Sequence, residues 1–386
     1  MRVMHIGKYF APFKGGIENM MLALIDAQVK AGLAVSVFVH QHERGMPFVK
    51  EQRSGACIYR TPIVAKLLFV PIALMAIWHL RRAIKETNPT VLHAHLPNVT
   101  CFLLLFMKTA KRTPLILHWH SDVIGEKPHW AIKCLYPFYQ FFERALLKRA
   151  SKIIVTSENY LGSSAPLMPF KHKCVVIPLG LNDAESPQQE GFNTSTSAAS
   201  ATINALCIGR LTYYKGHEYL LDAMAALPDV PLELNIVGDG ELRDKLQKQA
   251  TQAGLTHRVR FLGQVDDATL NDLINECTFL VLSSIERTEA FGLVLLEAMR
   301  AAKPCICTDV PGSGMSNVVI HNKTGLVVKH ADVSALANAL NDLTNDRPLC
   351  ERLGENGRRR FLSEFTVYRV EEATRRLYEA VANASQ

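Results

Sequence analysis

Two glutamates stand eight positions apart in Glu289-Ala-Phe-Gly-Leu-Val-Leu-Leu-Glu297. An apolar run before them, Thr278-Phe-Leu-Val-Leu-Ser283, reads as a buried strand of a parallel sheet, followed by a polar loop to Glu289. Phe291 to Ala301 consists of good helix formers and is stopped by Lys303-Pro304. A helix that starts at the carboxyl end of a strand lies where open α/β sheets bind ligands. At roughly 1.5 Å per residue, Glu297 falls about 12 Å along the axis from Glu289, with the helix amino terminus between them. Free N–H groups at that terminus suit a phosphate, while a carboxylate on either side accepts protons from hydroxyl groups. Hydroxyls, phosphates and hydroxyls in a row describe a nucleotide sugar. The plain alternative is a pair of solvated glutamates. Against it, Ala290 to Leu296 is too apolar to face solvent, so Glu297 sits in a buried helix and needs partners.

Three further groups could contribute chemistry. Gly209-Arg-Leu-Thr-Tyr-Tyr-Lys-Gly216 joins an apolar strand, Ile203 to Gly209, to an amphipathic helix marked by Tyr219, Leu220, Ala223, Met224 and Leu227. There Arg210 offers a fork to phosphate oxygens and Lys215 a point charge; two solvated loop cations are the alternative. Gly15-Gly16 lies between the strand Arg2–Ile6 and a helix with apolar positions at Ile17, Met20, Met21, Leu24 and Val29. This places backbone near phosphate or sugar, or simply makes a turn, and it is neither a dinucleotide fingerprint nor a P-loop. The strands Thr90–His95 and Leu115–His120 each end in His-x-His, whose side chains face one way. No carboxylate or cysteine completes a metal ligand set, so these histidines are expected to line a cleft or to be packed.

Glu289 to Met299 resembles the E-x7-E element of the retaining glycosyltransferases of family 4. The resemblance runs from Gly15-Gly16 through His118-Trp-His-Ser-Asp122, Thr156 to Tyr160, Ile177 to Gly180 and Gly209 to Gly216, almost the whole chain. It implies an α/β GT-B fold, two facing doubly wound Rossmann-like domains with a cleft between them. It further implies that Glu289 and His120 meet the transferred sugar, that Arg210 and Lys215 hold the diphosphate, and that Glu297 binds the ribose. The amides at Phe291, Gly292 and Leu293 would hold diphosphate or sugar. Val259 and Phe261, in Val259–Gly263, would give backbone contacts to the base, and Gly15 and Gly16 would face the donor across the cleft. Pro311 to Asn317 departs from the frequent G-G-x-x-E, and its Gly-Met-Ser wording resembles enzymes that build bacterial surface polysaccharides.

The activity so implied is transfer of a hexose, preferably mannose-like, with retention, from a nucleotide diphosphate sugar to a lipid-linked oligosaccharide in lipopolysaccharide-type synthesis. A nucleotide-sugar epimerase or hydrolase on the same fold, and an inactive binding subunit, are the alternatives. No cofactor motif occurs and no Asp-x-Asp stands at a strand end, so neither metal nor cofactor is expected. The missing G-x-G-x-x-G disfavours a dehydrogenase, and nucleic-acid binding would need basic aromatic modules that are absent from the sequence.

The elements that must position these groups are alternating strands and helices in two series. Domains are expected at 1–182 and 202–365, joined by a polar linker at 183–201, with a helix at 366–386 packing back on the first. The net charge of +7 divides into +14 over residues 1–180 and −7 over 181–386, which supports that division and gives the first half an affinity for anions. Two apolar runs, Leu67–Leu80 and Cys101–Met107, are short of the ~20 residues that span a bilayer. They are expected to be core helices, with insertion at an interface as the alternative. Nine scattered cysteines without a C-x-x-C pair suit a reducing compartment. The expected location is cytoplasmic, peripheral on the anionic inner face of the cytoplasmic membrane.

Overall fold

A computed structural model describes residues 1–13, 15–67, 70–123, 130–183 and 203–384. All but the first residue of the expected linker therefore lie outside the described residues. The chain divides into two compact units, Met1–Asn182 with Val367–Gln386, and Asp183–Thr366.

The first unit opens with β1 (Arg2–Ile6), α1 (Gly16–Lys30) and β2 (Ala34–Arg44), followed by a hairpin of β3 (Val49–Arg53) and β4 (Ala56–Ile63). A second, two-stranded hairpin follows, β5 (Ala65–Leu67) and β6 (Val70–Ile72). Then come α2 (Ala76–Thr87), β7 (Val91–Leu96), the short α3 (Lys108–Lys111), β8 (Leu115–Trp119) and α4 (Trp130–Arg149). The series ends with β9 (Lys152–Val155), α5 (Glu158–Ser163) and β10 (Cys174–Val176). The main sheet has the order β10-β9-β8-β7-β1-β2-β4-β3 and is parallel except for edge strand β3. β7 and β8 are buried along their whole length, as expected for strands covered on both faces. The order reverses beside β1, so the ends of β1, β7 and β8 form the switch point at which such sheets take ligands.

The run Leu67–Leu80 is not the single core helix expected from its hydropathy. It contains the end of the β5–β6 hairpin, with Pro71 on β6, and the helix begins only at Ala76. Proline lacks the N–H that a helix interior would need, and it is accepted on a two-stranded edge. Cys101–Met107 lies largely in a 3₁₀ segment, Val99–Phe106, whose first turn is capped by the Asn98 side chain accepting the Thr100 N–H at 3.1 Å.

The second unit is a purely parallel sheet. Its elements are β11 (Ile203–Ile208), α6 (His217–Ala225), β12 (Leu232–Val237), α7 (Arg243–Gln252), β13 (Val259–Gly263), α8 (Asp267–Glu276) and β14 (Phe279–Leu282). They continue as α9 (Leu293–Arg300), β15 (Cys305–Thr308), α10 (Met315–Val318), β16 (Gly325–Val328), α11 (Val333–Asn345) and α12 (Arg347–Arg360). The strand order is β13-β12-β11-β14-β15-β16, with the reversal between β11 and β14. Leu234, Phe279, Val281 and Ile306 from the strands meet Leu220, Leu246, Leu340 and Leu353 from the helices in one core. After a π-turn at Phe361–Phe365, α13 (Val367–Asn383) rejoins the first unit. There Val367 packs on Ala23 and Ala27 of α1, and its N–H donates to the Leu181 carbonyl at 2.8 Å.

Candidate functional site

In the second unit the ends of β11, β12 and β14 are drawn together by glycines. A Cβ on Gly238 would lie 2.1 Å from the Gly209 carbonyl oxygen, and one on Gly216, at φ +67°, 2.1 Å from the Ser283 carbonyl oxygen. Only glycine permits these backbone approaches. Ser283 Oγ adds a bond to the Lys215 carbonyl at 3.0 Å. The Lys215 side chain is thereby laid across Gly209, and its Nζ donates to Glu289 Oε2 at 2.5 Å, with both side chains almost buried. Burial alone would lower the lysine pKa; the Glu289 carboxylate and the Tyr214 hydroxyl outweigh it, and the net shift is upward. The site therefore holds an ammonium and a carboxylate in contact.

Glu289 is fixed from several sides. Its other oxygen accepts the Gly292 N–H at 3.1 Å, Ser313 Oγ donates to its carbonyl, and the Gly314 N–H donates to the Ala290 carbonyl at 2.8 Å. The divergent loop 311–317 thus serves as a backbone brace for the motif. Gly292, at φ +82°, precedes α9, so the helix starts at Leu293, two residues later than its apolar run suggests. Phe291 turns inward, edge-on to Phe365, which leaves its backbone and those of Gly292 and Leu293 at the helix entrance. Glu297, one turn into α9, has a buried Oε2 with no hydrogen-bond partner among the described residues, and burial raises its pKa. Leaving such an oxygen unpaired costs stability, the mark of an atom that waits for a ligand.

Arg210 is well exposed, its nearest carboxylate being Glu241 at 3.9 Å, so its guanidinium is available to an anion. Val259 is buried and Phe261 packs against the core, so edge strand β13 can offer a ligand only its backbone at these two positions. Glu286 stands in no recognisable motif. It is buried, accepts the Tyr213 hydroxyl and binds Thr288 Oγ1 at 2.7 Å, tying the β14–α9 loop to the Arg210–Lys215 segment.

In the first unit Gly15 caps α1 in an extended conformation, φ −173°, open to any residue. The Glu18 carboxylate lies 2.3 Å from where a Cβ would be, but it is the end of a flexible side chain that can move aside, so this position does not demand glycine. Burial raises the pKa of Glu18, against an opposing pull from Lys8. Gly16 begins the helix.

His120 lies at the end of β8 and is buried among other imidazoles rather than lining an open wall. His5, His93, His95, His118 and His120 tile one face of β1, β7 and β8, with His5 opposite His93 and His95 opposite His118 in the ladder. Burial holds the pKa of His5 down to about 4 and of His120 to about 3; His93, His95 and His118 are well below the usual imidazole value for the same reason. All five are neutral at pH 7. Two triplets, His5 with His93 and His95, and His95 with His118 and His120, have nitrogens within 4.8 Å of one another, as a metal would require. His5 and His95, however, already use both nitrogens in hydrogen bonds. His5 and the supporting Gln28 and Tyr378 are distant in sequence and carry no motif. Nearby on α4, Glu143 is buried, and its pKa is raised to about 7 by that burial and by the charge of Asp122, against the hydrogen bond from Tyr136.

Known proteins agree with this arrangement. The model for a glycosyl transferase 4-like domain matches residues 15–180, and that for glycosyl transferases group 1 matches 195–360. The O-antigen chain mannosyltransferase C of Escherichia coli is 31% identical, over 98% of this chain and 98% of its own. The D-rhamnosyltransferase WbpZ of Pseudomonas aeruginosa is 30% identical over 95% and 92%. Among solved structures, the sucrose-phosphate synthase of Thermosynechococcus elongatus superposes with a TM-score of 0.79 at 23% identity, over 99% of both chains. With two Rossmann-like sheets of the GT-B class and a charged pair at the entrance to its E-x7-E helix, the chain belongs to the family 4 glycosyltransferases.

Proposed function

We propose that the protein moves a mannose-like hexose, with retention, from a nucleotide diphosphate sugar to a hydroxyl of a lipid-linked glycan during assembly of a bacterial surface polysaccharide. The observation that carries this reading is the contact between Lys215 and Glu289 at the mouth of α9. As the bond from the anomeric carbon to the phosphate oxygen breaks, its electron pair goes to the diphosphate. Lys215, Arg210 and the amides at Phe291 to Leu293 stabilise that charge, which is the largest electrostatic contribution such a site can make. The acceptor oxygen bonds to the same face, and its proton passes to the departing phosphate. Glu289, held in place by Lys215, accepts hydrogen bonds from the sugar; Glu297 takes the ribose hydroxyls; His120 meets a sugar hydroxyl, and Gly15 and Gly16 bring backbone to the donor. Val259 and Phe261 offer backbone to the base. The cations supply the role a metal would have, so the proposal includes neither metal nor cofactor. The mannosyl- and rhamnosyltransferase relatives support the hexose and the polysaccharide context.

The acceptor's lipid is assigned to the first unit. Leu135, Phe138 and Phe141 stand 55%, 71% and 70% exposed on α4, among exposed Lys133, Arg144 and Lys148. A second exposed group, Leu74, Met75 and Trp78, adjoins Arg81 and Arg82. Apolar side chains set among cations fit the headgroup boundary of an anionic membrane, where each basic residue contributes about 1 kcal/mol. No helix among the described residues is long and apolar enough to cross a membrane, and we propose peripheral, salt-sensitive attachment on the cytoplasmic side. The test is a transfer assay with nucleotide-hexoses, with and without lipid-linked glycan in anionic or neutral vesicles. Donor consumption that needs acceptor and is greater on anionic vesicles supports the reading. Consumption without acceptor would favour an epimerase or hydrolase, binding without consumption an inactive subunit, and equal activity on both vesicles would remove the membrane claim alone.

A further inference from the structure

The five buried histidines form two hydrogen-bonded chains that share one origin. Gln28 on α1 accepts from His5 Nε2 at 2.8 Å, and its amide nitrogen donates to the Tyr378 hydroxyl on α13 at 3.0 Å. From His5 the first chain runs Nδ1 to His95 Nε2 at 3.0 Å, then His95 Nδ1 to His120 Nε2 at 3.0 Å. From Tyr378 the second runs to His93 Nδ1 at 2.5 Å, then His93 Nε2 to His118 Nδ1 at 3.3 Å. Each chain ends on a nitrogen with no partner among the described residues: Nδ1 of His120 and Nε2 of His118, both buried.

A neutral imidazole has one N–H and one lone pair, so each link fixes the next. Because the Gln28 oxygen can only accept, His5 must carry its proton on Nε2. His5 Nδ1 is then an acceptor, His95 must be protonated on Nε2, and so must His120. The chain leaves His120 Nδ1 as a bare lone pair. On the other branch, the Tyr378 hydroxyl accepts from the amide and spends its proton on His93 Nδ1. His93 then donates from Nε2, His118 Nδ1 accepts, and His118 Nε2 is left with the N–H. Reversing the amide of Gln28 would reverse both chains together. One terminus is always a donor while the other is an acceptor, and the rings that carry them lie 4.2 Å apart, nearly parallel.

Resting on the reading of His120 as a contact to the transferred sugar, we infer that Gln28 and Tyr378 are positioning residues that set the tautomers of His118 and His120. The pair is thereby presented to a ligand's hydroxyl groups as one N–H donor, on His118 Nε2, and one acceptor, on His120 Nδ1. A hydroxyl both donates and accepts, so it satisfies the two ends, whereas a carboxylate or phosphate meets a lone pair at His120 and is repelled. An all-donor surface of charged imidazolium rings would have the opposite preference.

The test reads the tautomers in the full chain labelled with ¹⁵N-histidine, by long-range ¹H–¹⁵N correlation of the imidazoles at pH 7.5, with His120 assigned from the spectrum of H120N. The inference requires His120 protonated on Nε2 alone and His118 carrying its proton on Nε2. His120 protonated on Nδ1, or on both nitrogens, would overturn it whatever the enzyme does. Q28L should convert His120, and Y378F should convert His118, to a mixture of tautomers, each variant being checked for folding by circular dichroism; an unchanged tautomer at the named ring in a folded variant also overturns it. With donor varied, the same variants should raise KM about 10-fold and change kcat less. Should the wild type transfer no sugar from any nucleotide donor, the transferase reading fails, and the spectra still decide the relay.

Discussion

The two units place their candidate ligands at the same location in a parallel sheet, yet build the floor of that location from opposite chemistry. The second unit uses full charges in contact, Lys215 against Glu289, supported by glycines that let backbone replace side chain. The first uses five neutral rings that hand one hydrogen-bond polarity from α1 to the strand ends. A charged floor stabilises charge that develops during a reaction; a neutral floor of fixed tautomers orients groups that stay uncharged. On the proposed reading, the second unit then answers the charge of the leaving group, and the imidazoles of the first orient hydroxyls that stay uncharged.

The sharpest way to break this division is Lys215→Ala. It should lower kcat by about 10²–10³ on saturating donor, the cost of losing a preorganised contact to a developing anion, while the fold persists. Steady-state rates within a few-fold of wild type would mean that the charged floor is only structural.

The neutral floor has its own signature in acid. An unfolded imidazole binds a proton near 6.5, whereas His5 in the folded chain waits until about 4 and His120 until about 3. The unfolded state thus binds more protons over that interval, so stability is fully present above pH 6.5 and is lost as pH falls toward 4. Each such ring contributes a slope of about 1.4 kcal/mol per pH unit. All three tryptophans, Trp78, Trp119 and Trp130, belong to the first unit, so their fluorescence in urea reports it alone. The transition should move to clearly lower urea between pH 7.5 and 5.5. A transition indifferent to pH would show that the rings are accessible and charge freely.

The smallest effect concerns Glu297. Its raised pKa means the ionised form is penalised in the empty protein, so Glu297→Gln should raise the melting temperature at neutral pH. The same change should weaken donor binding about 10-fold, or about 1.4 kcal/mol, with kcat little altered, since a ribose contact is made equally before and during reaction. A drop in kcat with KM unchanged would move Glu297 to the reacting sugar.

Much of this was legible in the residues because buried parallel strands are written as continuous apolar runs and the ligand loops follow them directly. Phe279–Leu282 and Arg210–Lys215 could be placed that way, and the α9 segment to within two residues of its start. The Leu67–Leu80 run could not, because continuous hydrophobicity carries no period, and Pro71 marks where strand rather than helix runs. Contacts were also hidden where the partners are far apart. Lys215 and Glu289 were each picked out, but 74 residues separate them and nothing local says they touch. His5, Gln28 and Tyr378 stand singly, without motif or spacing, and acquire meaning only when the sheet and α13 bring them together.

The return of α13 to the first unit has a consequence for biosynthesis. Gln28 and Tyr378 are 350 residues apart, and the entire second unit is translated between them. At about 5–20 residues per second, the ribosome takes roughly 20–70 s to deliver the second partner after the first. Through that interval the first unit can form its sheet but not its lid: Ala23 and Ala27 on α1 lack Val367, and the imidazole chains have no tyrosine to polarise them. The nascent first unit is therefore an unfinished domain that exposes an apolar helix face, a client for holding chaperones until the last helix closes it.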